Sequence, residues 1–150
     1  MREGHGYALY QSTWELRKKM SNLGEIAQSI GRTLLGAARE QSDQWDYVGY
    51  TFLTKESVNY EGSGFLFLNR TLQEFTLRKI GRDLGALHLR QREIMRAEGD
   101  KAWIASRSVL RQSDMSFKQH FEFDNPERWR LSPDSMERQF AVLIGDAFEG

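Results

Sequence analysis

His5, His88 and His120 are the side chains in this 150-residue sequence best suited to exchange a proton near neutral pH. Histidine catalysis or metal binding needs a partner at fixed spacing, such as a second His one helical turn away or a carboxylate that orients the ring. None of the three has one, since they fall in an N-terminal segment, a helix and a strand. His88 is expected to be a half-buried structural residue and His120 to sit exposed on a polar strand face. Gly62-Ser63-Gly64 is a dense glycine cluster. It lacks the third glycine of a dinucleotide fingerprint and the Lys-Ser/Thr of a phosphate loop, so it reads as a turn. No Gly-x-Ser-x-Gly elbow is present, and 21 acids are too many for spacing to single out a catalytic pair. With no cysteine, thiolate nucleophiles, disulfides, iron–sulfur clusters and cysteine zinc sites are excluded. The expectation is a chain without catalytic, cofactor or metal residues.

The elements that would position such residues belong to an ordinary globular chain. Its length fits one domain, and 39% hydrophobic with 28% charged residues is normal usage. Residues 1–19 have little clear period and are expected to be an extension of a domain spanning 20–150. The first residues lack the apolar run of a secretory signal, and no window approaches a membrane span, so a cytoplasmic location is expected.

Formal net charge is zero, which argues against a general nucleic-acid binder. The basic residues between Arg78 and Arg96 are not interleaved with the aromatics a single-strand platform needs. The acids cluster elsewhere. Glu40, Asp43, Asp46, Glu56 and Glu61 face only Lys55 across residues 40–61, and seven acids face three arginines across residues 122–150. Solvated helix faces account for such clustering; an acidic surface that meets a basic partner is the sharper alternative.

Asn22 with Glu25 three residues on reads as the start of a helix ending near Gln41, with Leu23, Ile26, Ile30 and Leu34 on one face. Tyr47–Thr54 and Phe65–Leu68 are expected strands of a hairpin joined by a polar connection over 55–64. Asn69–Ile80 is ambiguous, and Glu74–Leu77 fits either a third strand or a helix start. Gly81–Glu98 is helical by composition, with Gly99 as its cap. Ala102–Leu110 and Ser116–Phe123 are two more strands around the turn Gln112-Ser113-Asp114. In the second, Phe117, Phe121 and Phe123 alternate with Lys118, His120 and Glu122, the pattern of a sheet with one wet face. Ser132-Pro133 opens a last helix striped by Met136, Phe140, Leu143, Ile144, Ala147 and Phe148. The expected fold is α+β: an antiparallel sheet of four to five strands with N-terminal, central and C-terminal helices packed on it.

Three segments together carry a family likeness. They are Leu23-Gly-Glu-Ile-Ala-Gln-Ser-Ile-Gly-Arg-Thr-Leu-Leu35, the Gly99-x3-Trp103 entry to a strand, and Phe117-x3-Phe121-x-Phe123-Asp-Asn-Pro-Glu-Arg-Trp129. Over most of residues 20–149 the chain resembles the YezG-like bacterial immunity proteins, cytosolic antitoxins of polymorphic or contact-dependent growth-inhibition toxins. The resemblance implies binding of a cognate toxin domain, basic and nuclease-like, with no direct nucleic acid or membrane contact. Two surfaces are candidates for that contact. One combines Asp43, Asp46, Glu56 and Glu61 with Tyr47, Tyr50 and Tyr60; the other is the Asp124–Trp129 loop with Asp124, Glu127 and Arg128. Tyr47 and Tyr50 are equally readable as core or sheet-face residues, and Trp129 reads rather as a residue packed under the last helix. Two rival functions are an adaptor or chaperone that escorts an effector without inhibiting it, and an enzyme using His88 or His120.

Overall fold

The computed structural model describes residues 2–54, 59–96 and 101–149, with side chains from Arg17 onward. The elements are α1 (Arg2–Gln41), β1 (Tyr47–Thr54), β2 (Tyr60–Leu68), β3 (Thr71–Gln73), α2 (Gly81–Arg96), β4 (Ala105–Arg111), β5 (Phe117–Glu122), a 3-10 helix (Pro133–Arg138) and α3 (Gln139–Leu143). The strands form one antiparallel sheet in the order β3-β2-β1-β4-β5. The fold is therefore α+β, with five strands and N-terminal, central and C-terminal helices.

β1 is the central strand because its β-branched and aromatic residues can be buried on both sides. Val48, Tyr50 and Phe52 point to a first face, where they join Leu66, Leu110 and the helix residues Ile26, Ile30, Leu34 and Leu84 in one core. Phe65, Phe67 and Val109 point to the second face and meet Leu143, Ile144 and Ala147 in a smaller one. β2 and β3 are joined by Asn69 and Arg70 at φ 51° and 64°. Two successive left-handed residues make the tight turn whose twist matches the flanking strands.

α1 and α2 cross the strands rather than running along them. Successive turns of α2 place Gly85 against Tyr60 of β2, His88 beside Ser108 of β4 and Gln91 against Gln119 of β5. α1 passes over β5 at Gly31, packed on Phe117, and reaches the segment after β3 through Gln41, which bonds the backbone of Thr76. The expected alternation in β5 holds for Phe117 and Phe121, which pack against the first-face core, but not for Phe123, which follows the end of the strand and is exposed.

Four expectations need correction. The first helix runs unbroken from Arg2 through Asn22, so Asn22 is not its cap; helix propagation overrides a local capping signal when the flanking residues also favour helix. Gly62-Ser63-Gly64 is not a turn but part of β2, which begins at Tyr60 rather than Phe65. Its glycines are demanded from above: a Cβ at Gly62 would fall 1.9 Å from the Tyr50 hydroxyl, and one at Gly64 2.5 Å from Leu77. The third strand lies at Thr71–Gln73, not at Glu74–Leu77. The last helix is a 3-10 turn followed by one short α-helical stretch, interrupted at Gly145 with φ +41°, and Met136 is half exposed. The expected cap Gly99 lies outside the described residues. Among the described residues no helix is long and apolar enough to cross a membrane.

Candidate partner-binding site

The second face of the sheet carries the most unusual residue of the fold. Arg107 lies in β4 between Ala105 and Val109 on the strand's inward side and is only 2% exposed. Burying a guanidinium costs several kcal/mol unless its donors are met. Nη2 donates to His120 Nδ1 at 3.0 Å and lies 3.5 Å from Asp146, while Nη1 donates to the Ile144 carbonyl at 3.4 Å. Its Nε has no partner among the described residues. The guanidinium carbon stands 5.2 Å from the Trp129 ring centre, a cation–π distance. Burial pulls the Arg107 pKa down and Asp146 pulls it back, and an arginine remains charged throughout. His120 is lowered by burial and then by the Arg107 charge; because Nδ1 accepts the Arg107 bond, the ring proton sits on Nε2. His120 is thus tied into the face rather than free at the surface.

The loop after β5 is built around Glu122. One oxygen accepts the backbone N–H groups of Phe123, Asp124 and Asn125 at 3.1, 2.9 and 3.2 Å, and the other accepts Arg128 at 3.2 Å. The Asp124 and Asn125 amides, with Arg128 behind them, hold the Glu122 carboxyl below its ordinary value. Asp124 pairs with Lys101. Arg128 also lies over Trp129, 4.8 Å from the ring, so the buried indole has two guanidinium groups at cation–π distance. Trp129 is packed, as one of the two readings had it, but under the loop and against Arg107.

This loop leaves a cavity of about 250 Å3 against the sheet. Thr51, Ser63, Phe65 and Ala105 form its floor, Leu72, Trp129, Leu131 and Leu143 its walls. At the mouth, Glu61 lies 4.0 Å from Arg130, which also bonds Glu127 at 3.2 Å. Among the described residues no group of three or more His, Asp or Glu side chains is placed to hold a metal ion.

The structure divides the first expected surface. Asp43 is exposed after α1, and Asp46 closes the far end of the sheet by accepting the Asn69 N–H at 2.7 Å. Glu61 pairs with Leu53, seven residues further along β1, about 23 Å away at roughly 3.3 Å per residue. Tyr47 is half-buried between Phe140 and Phe148. Tyr50 is core, its ring tilted against His88, and Tyr60 stacks on Phe52 under α2, both on the first face. Glu56 lies outside the described residues. The acids and tyrosines therefore do not form one patch, because strand alternation and the length of β1 separate them.

What the fold brings together instead is Glu61 and the 124–131 loop, one member of each expected surface. Asp124, Glu127 and Arg128 are all in this loop, each paired with a neighbouring opposite charge. Arg107 and Arg130 were missed. The available signal for Arg107 was its place in the same alternation as Ala105 and Val109, an otherwise apolar strand face. No protein-family model matches the chain, and comparison with curated proteins yields no match.

Proposed function

We propose that this chain is an immunity protein that binds and neutralises a cognate secreted toxin domain, a nuclease, in the cytoplasm by covering its active site or substrate surface. The observation that carries the reading is the preformed cavity on the second face, rimmed by Glu61 and the ordered 124–131 loop. At about 250 Å3 it is smaller than the roughly 300–1,000 Å3 of sites for drug-sized ligands. It suits one large side chain of a protein partner, the kind of central anchor that dominates interface energetics. The Glu122 network fixes the loop before any partner arrives, so little ordering cost is left for association. The YezG-like resemblance supplies the toxin as partner, and inhibition by coverage asks no catalytic group of this chain.

Co-expression with the C-terminal domain encoded by the adjacent upstream reading frame tests this. The expected result is a stoichiometric complex in pull-down together with rescue of growth. A complex that leaves the toxin active would replace inhibition by escort, and no complex would overturn the proposal.

A further inference from the structure

The outer lane of the sheet beside β2 is only partly filled. β3 pairs with Leu66, Phe67 and Leu68 and stops at Gln73. The bond from Thr54 N–H to the Ile104 carbonyl turns the even residues of β1 toward β4 and its odd residues toward β2. By the β1–β2 register, Glu61, Ser63 and Phe65 then bond β1, and the backbone groups of Tyr60, Gly62 and Gly64 point outward. Among the described residues no strand pairs with those three, and residues 60–63 are exposed. The segment after β3 does not continue the lane. It bends to the first face, where Phe75 and Leu77 lie over Gly64 and Thr76 bonds Gln41 of α1.

The open lane lies beside the cavity. Glu61 and Ser63 of β2 line it from one side and Leu72, the middle residue of β3, closes it at the filled end of the lane. A strand laid against Tyr60–Gly64 would send alternate side chains to the second face, and one of them would stand over the cavity next to Leu72. The mouth also carries two carboxylates, Glu61 and Glu127, each within ion-pair distance of Arg130.

We propose that Tyr60–Gly64 of β2 is a strand-addition site for an extended segment of the partner protein, which seats a large apolar side chain in the adjoining cavity, with Lys or Arg two residues away on the same face. Backbone hydrogen bonds supply register and the pocket supplies selectivity, the division of labour of edge-strand recognition. This rests on reading the second face as the partner-binding face and adds how the partner is held.

The test uses the full chain and the peptide Thr-Val-Lys-Thr-Xaa-Thr-Lys-Val-Thr, with Xaa as Trp or Ala, plus two Trp versions N-methylated at alternate residues, one for each register; the lysines stand two residues from Xaa and so share its face. The Trp peptide is expected to slow amide exchange at Tyr60, Gly62 and Gly64. The Ala peptide should bind more weakly by about tenfold or more, and at least one N-methylated version should lose binding. Ser63→Phe fills the cavity from an exposed strand position and should abolish binding while the variant's melting transition stays cooperative. Unchanged exchange at those three amides, or equal binding by the parent and both methylated peptides, overturns the site. In the growth-rescue assay, a Ser63→Phe variant that still neutralises the toxin overturns strand addition and leaves the immunity reading standing. Peptide capture by a wild-type chain that fails to rescue growth does the reverse.

Discussion

The two faces of the sheet bury polar groups in opposite ways. On the first, His88 is fully buried, with Nδ1–H donating to the Leu84 carbonyl at 2.7 Å and Nε2 facing the Ser108 hydroxyl at 3.3 Å. Ser108 also accepts Gln119, which exchanges amide bonds with Gln91. Burial holds His88 down at about 4, so the ring is neutral and the chain of bonds is closed. On the second face the buried group is a permanent cation whose ion-pair partner Asp146 is largely exposed. Unmet atoms do not separate the faces, since Trp103 Nε1 and Ser106 Oγ on the first lack partners among the described residues just as Arg107 Nε does on the second. Burial of a titratable group does not by itself mark a site. The network that is neutral and satisfied on all sides is architecture, whereas the one that stays charged and opens toward solvent adjoins the cavity and the exposed β2 edge.

The sharpest way to break this comparison is to crowd the second face. A Cβ at Gly49 would lie 2.2 Å from the Phe65 ring and 2.6 Å from the Ser108 carbonyl. Gly49→Ala should lower stability by about 3 kcal/mol, read as a reduced urea midpoint. Acid tests the first face. Between pH 6.5 and about 4 the unfolded chain takes up a proton that folded His88 refuses, so stability present above 6.5 is lost as pH falls, by about 3 kcal/mol in full. Denaturation midpoints across that window should slope down in the wild type and lose most of the slope in His88→Phe. His120, lowered in the same direction but only half-buried, contributes a residual slope.

Arg107 separates charge from packing. Arg107→Ala removes the bonds to His120 and the support of Trp129 and should cost about 3 kcal/mol, whereas Arg107→Met, similar in volume, should cost under about 1 kcal/mol. If both retain stability equally, the buried cation is not part of what holds this face. The smallest effect has the opposite sign. A Cβ at Gly36, on the outer side of α1, meets nothing within 4 Å, so Gly36→Ala should raise the melting temperature, by about 0.5–1 kcal/mol in stability.

Much of the fold was readable because its signals are local. The β-branched and aromatic run of β1, the period-2 alternation of β5 and the composition of α2 each appear where the sequence places them. The misreadings have two causes. Gly62 and Gly64 carry the mark of a turn, yet they are required in a strand because Tyr50 and Leu77 occupy the space above them. Asn22 offers a cap that α1 does not use, and the apolar stripe after Ser132 is divided by Gly145. For the strand glycines a nearest-neighbour preference was overridden by residues distant in the chain; in the two helical segments the neighbours themselves decided.

The sequence by itself determined the element types, the antiparallel α+β class and the absence of thiol chemistry, since these follow from periodicity and residue inventory within short windows. Only the tertiary structure decided that Arg107 is buried, that Glu61 faces the 124–131 loop, and that β3 ends early enough to leave Tyr60–Gly64 open. Those outcomes depend on strand order, register and the path of the chain between strands, which hydrogen bonds between distant residues fix and no local pattern encodes.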